Sequence, residues 1–216
     1  VVKVYAFRGF LQGASASVKD LVEALKVGVD GLVVDVYVAK DRVPVVIFDR
    51  VIRGVDVANL SYEEVRRALQ VPDVGTLISS TTADLVLWVR DTSLLDTLPE
   101  LIEDAGAVGR VYLAVDDVLQ ARAIRGASKS VKVILRVLNP FPNIVLLKRE
   151  GVDAVAVPPA LARPRLIREC TSRGIPVIVW LVNDVAQAAK AVRYGAQVLV
   201  TSRPTLRREL NEFLKP

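Results

Sequence analysis

A chain of 216 residues with 52% hydrophobic side chains can bury one large core, and its length suits a single domain over 1–216. It carries 29 Lys and Arg against 24 Asp and Glu, a net charge of +5, with one cysteine and no histidine. These counts exclude a disulfide scaffold and imidazole catalysis, no apolar run approaches the roughly 18 residues of a membrane span, and the modest positive balance favours an anionic small molecule with no nucleic-acid partner expected.

Short Val-rich runs alternate with amphipathic stretches along the whole chain. Strands are predicted near Val2–Phe7 and Leu32–Val38, then near Leu85–Arg90, Val111–Val115 and Val131–Val137, and finally near Ala154–Val157, Pro176–Val182 and Val198–Thr201. They are continuous apolar runs more than strict alternations, as expected of strands covered on both faces. Helical patterns follow each one: Val18–Val27, Ser61–Leu69, Leu94–Ala105, Val118–Arg125, Asn143–Glu150, Pro164–Arg173, Asp184–Tyr194 and Pro204–Leu214. Ser61 and Glu64 form a capping box at the start of the second helix. Gly28, Gly151, Gly174 and Gly195 each follow a helical stretch and precede a strand, where a left-handed C-cap is needed. Eight such units in one domain of this size predict an α/β fold, a closed (β/α)₈ barrel.

One connection is too long for a simple βα link. The insertion, about 39–84, is expected to hold an extra strand Val45–Phe48, the second helix and a polar Ser79-Ser80-Thr81-Thr82 loop. The opening residues read as strand from Val2, with no signal-peptide layout. Lone Cys170 cannot pair within the chain, so a reducing, cytoplasmic setting is expected. Scarce Met, Cys, Gln and Asn beside abundant Val and Arg fit a thermophile.

In a β/α barrel, function sits at the C-terminal ends of the strands. That rule selects Arg8, Val33, Asp35, Trp88, Arg90, Asp116, Arg136, Trp180, Asn183, Thr201 and Ser202. Asp116 and Asp117 are also placed to begin the fourth helix, where carboxylates complement the helix dipole. Lys129, Lys132, Lys148 and Arg149 read as a solvated face. No Gly-rich phosphate loop, zinc spacing or serine-triad signature is present.

Several segments carry a family pattern. They are Ala6-Phe7-Arg8-Gly9, Gly28-Val29-Asp30-Gly31-Leu32-Val33-Val34-Asp35-Val36, Lys40-Asp41 and Phe48-Asp49. Further on come Leu85-Val86-Leu87-Trp88-Val89-Arg90, then Gly174-Ile175-Pro176 running through Trp180 to Asn183, and Thr201-Ser202-Arg203-Pro204. In that order and spacing they resemble the glycerophosphodiester phosphodiesterase family. Its pattern reads His-Arg-Gly, then Gly-Ala-Asp-x-x-Glu-x-Asp-Val, Lys-Asp-Gly, His-Asp and Ile-Glu-x-Lys, with a Trp-Thr-Val-Asn seventh strand. The resemblance implies a barrel phosphodiesterase of lipid metabolism whose histidines supply acid/base catalysis and whose carboxylates hold a divalent metal such as Ca²⁺ or Mg²⁺. It also implies an insertion after the second strand that helps enclose the substrate. Because the insertion here is short, the mouth is expected to be more open.

On that pattern Phe7 and Phe48 stand at the two histidine positions, and Val33 and Trp88 at two metal glutamates. Arg8, Asp35 and Asp49 are kept, and Arg90 takes the place of a lysine. Phenylalanine moves no proton, and each acid/base role contributes roughly 10²–10⁴-fold. Asp35, even with Asp49 near it, is a poor divalent site, so no cofactor is expected. The favoured reading is a catalytically degenerate member that binds a phosphorylated or anionic molecule through Arg8, Arg90 and Arg136, with Trp180 as an apolar wall. A second is a hydrolase whose proton transfers fall to Asp35 or Asp49. A third is an interaction module in which Phe7, Phe48, Val33 and Trp88 plug the barrel, with Arg8 paired to Asp35 or Asp49.

Overall fold

The computed structural model describes residues 2–13 and 15–215. Strand β1 (Lys3–Phe7) leads through α1 (Val18–Leu25) to β2 (Gly31–Val38), after which come β3 (Pro44–Val46), β4 (Val51–Ile52), β5 (Val55–Asp56), α2 (Tyr62–Leu69) and α3 (Val74–Ser80). Regular alternation follows: β6 (Asp84–Val89), α4 (Thr97–Asp104), β7 (Val111–Val115), α5 (Val118–Ala127), β8 (Lys132–Arg136) and α6 (Ile144–Arg149). It ends with β9 (Ala154–Val157), α7 (Pro164–Thr171), β10 (Val177–Trp180), α8 (Val185–Tyr194), β11 (Val198–Thr201) and α9 (Leu206–Phe213). β1 pairs in parallel with both β2 and β11, so the eight parallel strands close into a (β/α)₈ barrel, with β3 added antiparallel to β2. Among the described residues no helix is long and apolar enough to cross a membrane.

Strand alternation sorts the apolar residues into two cores. Between strands and helices lies a large one containing Leu21, Leu32, Leu85, Leu113, Val133 and Ile167. Within the barrel, Tyr5, Val33, Val86, Ala114, Ile134, Ala156, Ile178 and Val200 pack as a separate cluster. Tyr5, Val86, Ile134 and Ile178 come from the first, third, fifth and seventh barrel strands, and Val33, Ala114, Ala156 and Val200 from the other four. This is the layered filling expected of such barrels. Phe7, Trp88, Arg136 and Trp180, each two residues further along β1, β6, β8 and β10, occupy the next level towards the C-terminal end.

Capping places the helices. Ser17 with Asp20 and Ser61 with Glu64 form capping boxes, while Asp73, Asp117 and Asp184 accept from the third helical N–H of α3, α5 and α8. Such caps contribute about 1 kcal/mol each. The second-helix capping box is therefore as expected, but the insertion differs in three ways. The extra strand spans Pro44–Val46, and Phe48 leaves the sheet to join the outer core. Ser79 and Ser80 end α3 instead of forming a loop, with their hydroxyls donating to the carbonyls of Gly75 and Thr76. Asp73 as cap, with Val74, Leu77 and Ile78 buried on one face, outweighs the weak helix propensity of Gly and Ser. The β4–β5 hairpin was not anticipated. It turns on Arg53 and Gly54, both with positive φ, which is the geometry preferred in two-residue hairpins.

Gly31 opens β2 where its strand touches both neighbours. A Cβ there would lie 2.5 Å from the Asp84 carbonyl oxygen and 3.0 Å from the Tyr5 ring. Gly31→Ala should destabilise the barrel by about 1–3 kcal/mol in urea denaturation. Gly126→Ala, in a helix position with no atom within 4 Å of the added methyl, should stabilise it by about 0.5–1 kcal/mol. Equal effects from the two would refute this account of β2 packing.

Candidate functional site

At the C-terminal mouth of the barrel, charged side chains stand on an aromatic floor. Asp35, on β2, is buried with no exposed surface. Its Oδ2 accepts from Arg8 Nε at 2.7 Å and its Oδ1 from Arg90 Nε at 2.6 Å. Arg8 follows β1 and Arg90 follows β6, so two barrel neighbours of β2 are tied to one carboxylate. The network continues sideways. Arg90 Nη1 lies 3.7 Å from Asp116 Oδ2, and Arg136 Nε donates to Asp116 Oδ1 at 2.7 Å. Three guanidiniums thus meet two carboxylates, leaving one positive charge in excess. Arg8, Arg90 and Arg136 keep 27%, 23% and 34% of their side-chain surface exposed.

The floor is built by Phe7, Trp88 and Trp180. Ring centroids lie 6.5 Å apart for Phe7–Trp88, 5.8 Å for Phe7–Trp180 and 4.4 Å for Trp88–Trp180. Trp88 Nε1 donates to Asp116 Oδ1 at 3.2 Å, which satisfies its only polar group. Arg90 and Arg136 sit 3.3 and 4.8 Å from the Trp88 ring centroid, and Arg8 lies 5.0 Å from that of Phe7 and 5.2 Å from that of Phe48. Cation–π contacts of this kind contribute roughly 0.5–2 kcal/mol. Bulky rings thus line the centre of the mouth.

The structure gathers Arg8, Asp35, Arg90, Arg136, Phe7, Trp88 and Trp180 at the mouth, with Val33 a layer below in the barrel core. Phe48 packs in the outer core but borders the mouth, 5.2 Å from the Arg8 guanidinium that also covers Phe7, while Asp49 is exposed and accepts from Val51 N at 3.0 Å. Arg8 therefore pairs with Asp35 and not with Asp49. Of the two carboxylates expected to begin the fourth helix, only Asp117 caps α5, while Asp116, also expected at a strand end, lies at the mouth and pairs with Arg136. Its position as the first residue after β7 carried that signal. Asn183 joins the last two barrel strands: its Oδ1 accepts from Thr201 Oγ1 at 2.8 Å and from Ser202 N at 3.0 Å. On the presumed solvated face, Lys132 and Arg149 are exposed and pair with Asp153 and Glu150.

A metal finds few partners in this donor set. Val33 and Trp88 offer no hard oxygen, both Asp35 oxygens already accept from guanidiniums, and Asp49 is exposed and accepts from Val51 N. Among the described residues no group of three His, Cys, Asp or Glu side chains converges. Cys170 is buried in α7, and burial pushes its thiol up to about 11, so little thiolate forms near neutrality.

The overall architecture has solved counterparts. A glycerophosphodiester phosphodiesterase from Parabacteroides distasonis superposes with a TM-score of 0.84 at 17% identity, covering 99% of this chain and 98% of that one. One from Thermotoga maritima gives 0.81 at 17% identity, covering 97% and 98%. This chain has the fold of the glycerophosphodiester phosphodiesterases. A phosphodiesterase from Oleispira antarctica, solved with its product sn-glycerol-3-phosphate, gives 0.81 at 14% identity over 97% of this chain and 96% of that one. No family model matches the sequence, and no curated protein matches it. At such identities the likeness establishes the phosphodiesterase fold, and the chemistry must be argued from the side chains.

Asp35→Asn would leave two partly buried guanidiniums without their shared countercharge. It should cost about 3–5 kcal/mol in urea denaturation, whereas Asp49→Asn, at an exposed turn, should cost under about 1 kcal/mol. In the folded protein Cys170 should react with a thiol reagent only at the rate of unfolding. Rapid stoichiometric modification at neutral pH would contradict its burial.

Proposed function

We propose that this barrel does not hydrolyse phosphodiesters and instead holds a small oxyanion, such as a phosphate monoester, at its C-terminal mouth. The observation that carries this reading is the sharing of Asp35 by Arg8 and Arg90 through Nε alone. Among the described residues the terminal nitrogens of Arg8, Arg90 and Arg136 donate no hydrogen bond, although Arg90 Nη1 lies 3.7 Å from Asp116 Oδ2, and guanidinium forks match phosphate geometry. A guanidinium charge then stands beside Asp35 where the phosphodiesterase pattern would put a metal, and no divalent cofactor is required. Phe7 and Phe48 supply no proton transfer, and both oxygens of Asp35 already accept from guanidiniums.

Two other readings stay in view. An active phosphodiester hydrolase of lipid metabolism would need Asp49, the exposed carboxylate, as its base. A plugged interaction module is favoured by the Phe7, Trp88 and Trp180 rings across the mouth. The extra positive charge, which a plug does not need, favours the anion reading over it. A cytoplasmic setting, which a lone cysteine suits, is part of this proposal.

Calorimetric titration with sn-glycerol 3-phosphate should show one saturable site, insensitive to EDTA and weakened by salt. Arg136→Ala should weaken it about tenfold or more, the loss of one charge-assisted contact. Glycerophosphocholine should not be turned over with or without Ca²⁺ or Mg²⁺. Turnover abolished by Asp49→Asn would establish the hydrolase instead, and neither binding nor turnover would leave the plugged barrel.

A further inference from the structure

At the opposite, N-terminal end of the barrel the packing is incomplete. A cavity of about 290 Å³ opens there, lined by Lys3, Tyr5, Tyr112, Ile134, Ala154 and Ile178 among others. A neighbouring recess of about 330 Å³ shares Tyr112, Ile134, Ala154 and Pro176 with it and adds Lys132, Lys148 and Asp153. The cause lies in the local sequence. At this level β9 contributes only Ala154, a small side chain, while the Tyr112 hydroxyl is held by the Gly109 carbonyl at 2.9 Å.

The lining has two chemistries. Its floor, Ile134, Ile178, Ala154, Val198 and Pro176, is apolar. Tyr5 donates to Asp84 at 2.7 Å, and burial with that bond drives its phenol far above the ordinary range, so it adds no charge. The rim is cationic. Lys3 pairs with Asp84 at 2.6 Å and Lys132 with Asp153 at 3.4 Å, while Lys148 has no carboxylate within pairing distance among the described residues. Asp153 is further engaged by Arg125.

We infer that the N-terminal end of the barrel is a second binding site, for a small amphipathic carboxylate whose apolar part lies on Ile134, Ile178 and Ala154 and whose head group meets Lys148. A volume near 300 Å³ is at the lower end for small-molecule sites and suits a ligand of about ten non-hydrogen atoms. The site is independent of the mouth, so it stands whether or not the mouth binds anions.

Octanoate is the probe, followed by isothermal titration calorimetry of the whole chain. One-to-one binding that saturates below millimolar concentration is expected, with acetate, which lacks the tail, giving no saturable heat. Ala154→Leu should fill the cavity and lower octanoate affinity at least tenfold with unchanged circular dichroism. Lys148→Ala, a surface change that spares the fold, should weaken octanoate about fivefold and leave 1-octanol unaffected. Absence of saturable octanoate binding to the unaltered chain overturns the inference. So does binding that Lys148→Ala leaves unchanged, because the charged rim would then play no part.

Discussion

A carboxylate removed from water must be met by charge and hydrogen bonds, and Asp35 organises the mouth of this barrel for that reason. Desolvating an ion costs several kcal/mol even after relaxation. One guanidinium donating through a single N–H would leave an oxygen unmet, so Arg8 and Arg90 approach from the two strands that flank β2 and take one oxygen each. The requirement passes outward. Arg90, placed between two carboxylates, reaches Asp116, which also accepts from Arg136 and from the indole of Trp88. The successive ends of β1, β2, β6, β7 and β8 are thereby linked by charge, although their loops differ in length and sequence.

The aromatic floor and the ion network depend on one another. Trp88 can lie almost buried because Asp116 accepts its N–H and Arg90 covers its face. Low polarity beneath the arginines strengthens their attraction to the carboxylates, since water competes less on that side. Exchanging the rings for small side chains would wet the ion pairs from below. Exchanging the arginines would strand Asp35. The mouth is built as a unit, and an added anion would enter a site whose charges are already positioned, with little ordering cost left.

The barrel was legible because its signals repeat: eight Val-rich runs, a glycine before several of them, and capping residues ahead of the helices. Residue types at strand ends also placed Arg8, Asp35, Arg90 and Arg136 at one mouth. Pairing was harder to read. Whether Arg8 would choose Asp35 or Asp49 depends on Phe48 leaving the sheet after Pro44–Val46, and a three-residue strand gives too short a pattern to fix that bend. Asp116 and Asp117 illustrate a related difficulty. Adjacent carboxylates at a strand end face different ways, so one caps a helix and its neighbour enters the mouth, and composition alone treats them alike. Helix α3 was hidden by Gly75, Ser79 and Ser80, whose poor propensity is overridden by the burial of Val74, Leu77 and Ile78.

The two ends of the barrel obey the same packing rule with different outcomes. Protein interiors approach crystal density, and an empty apolar space forfeits dispersion contacts. At the mouth, Phe7, Trp88 and Trp180 fill the centre, and stability alone explains their size. At the other end the space opens to solvent between lysines, where water can enter and much of the cavity penalty disappears. Filling it would bring little stability, and Ala154 and Pro176 leave it wide. An opening that costs little to keep is where a β/α barrel can acquire a ligand without disturbing Asp35, because the layers of Val33, Ala114, Ala156 and Val200 insulate one end from the other.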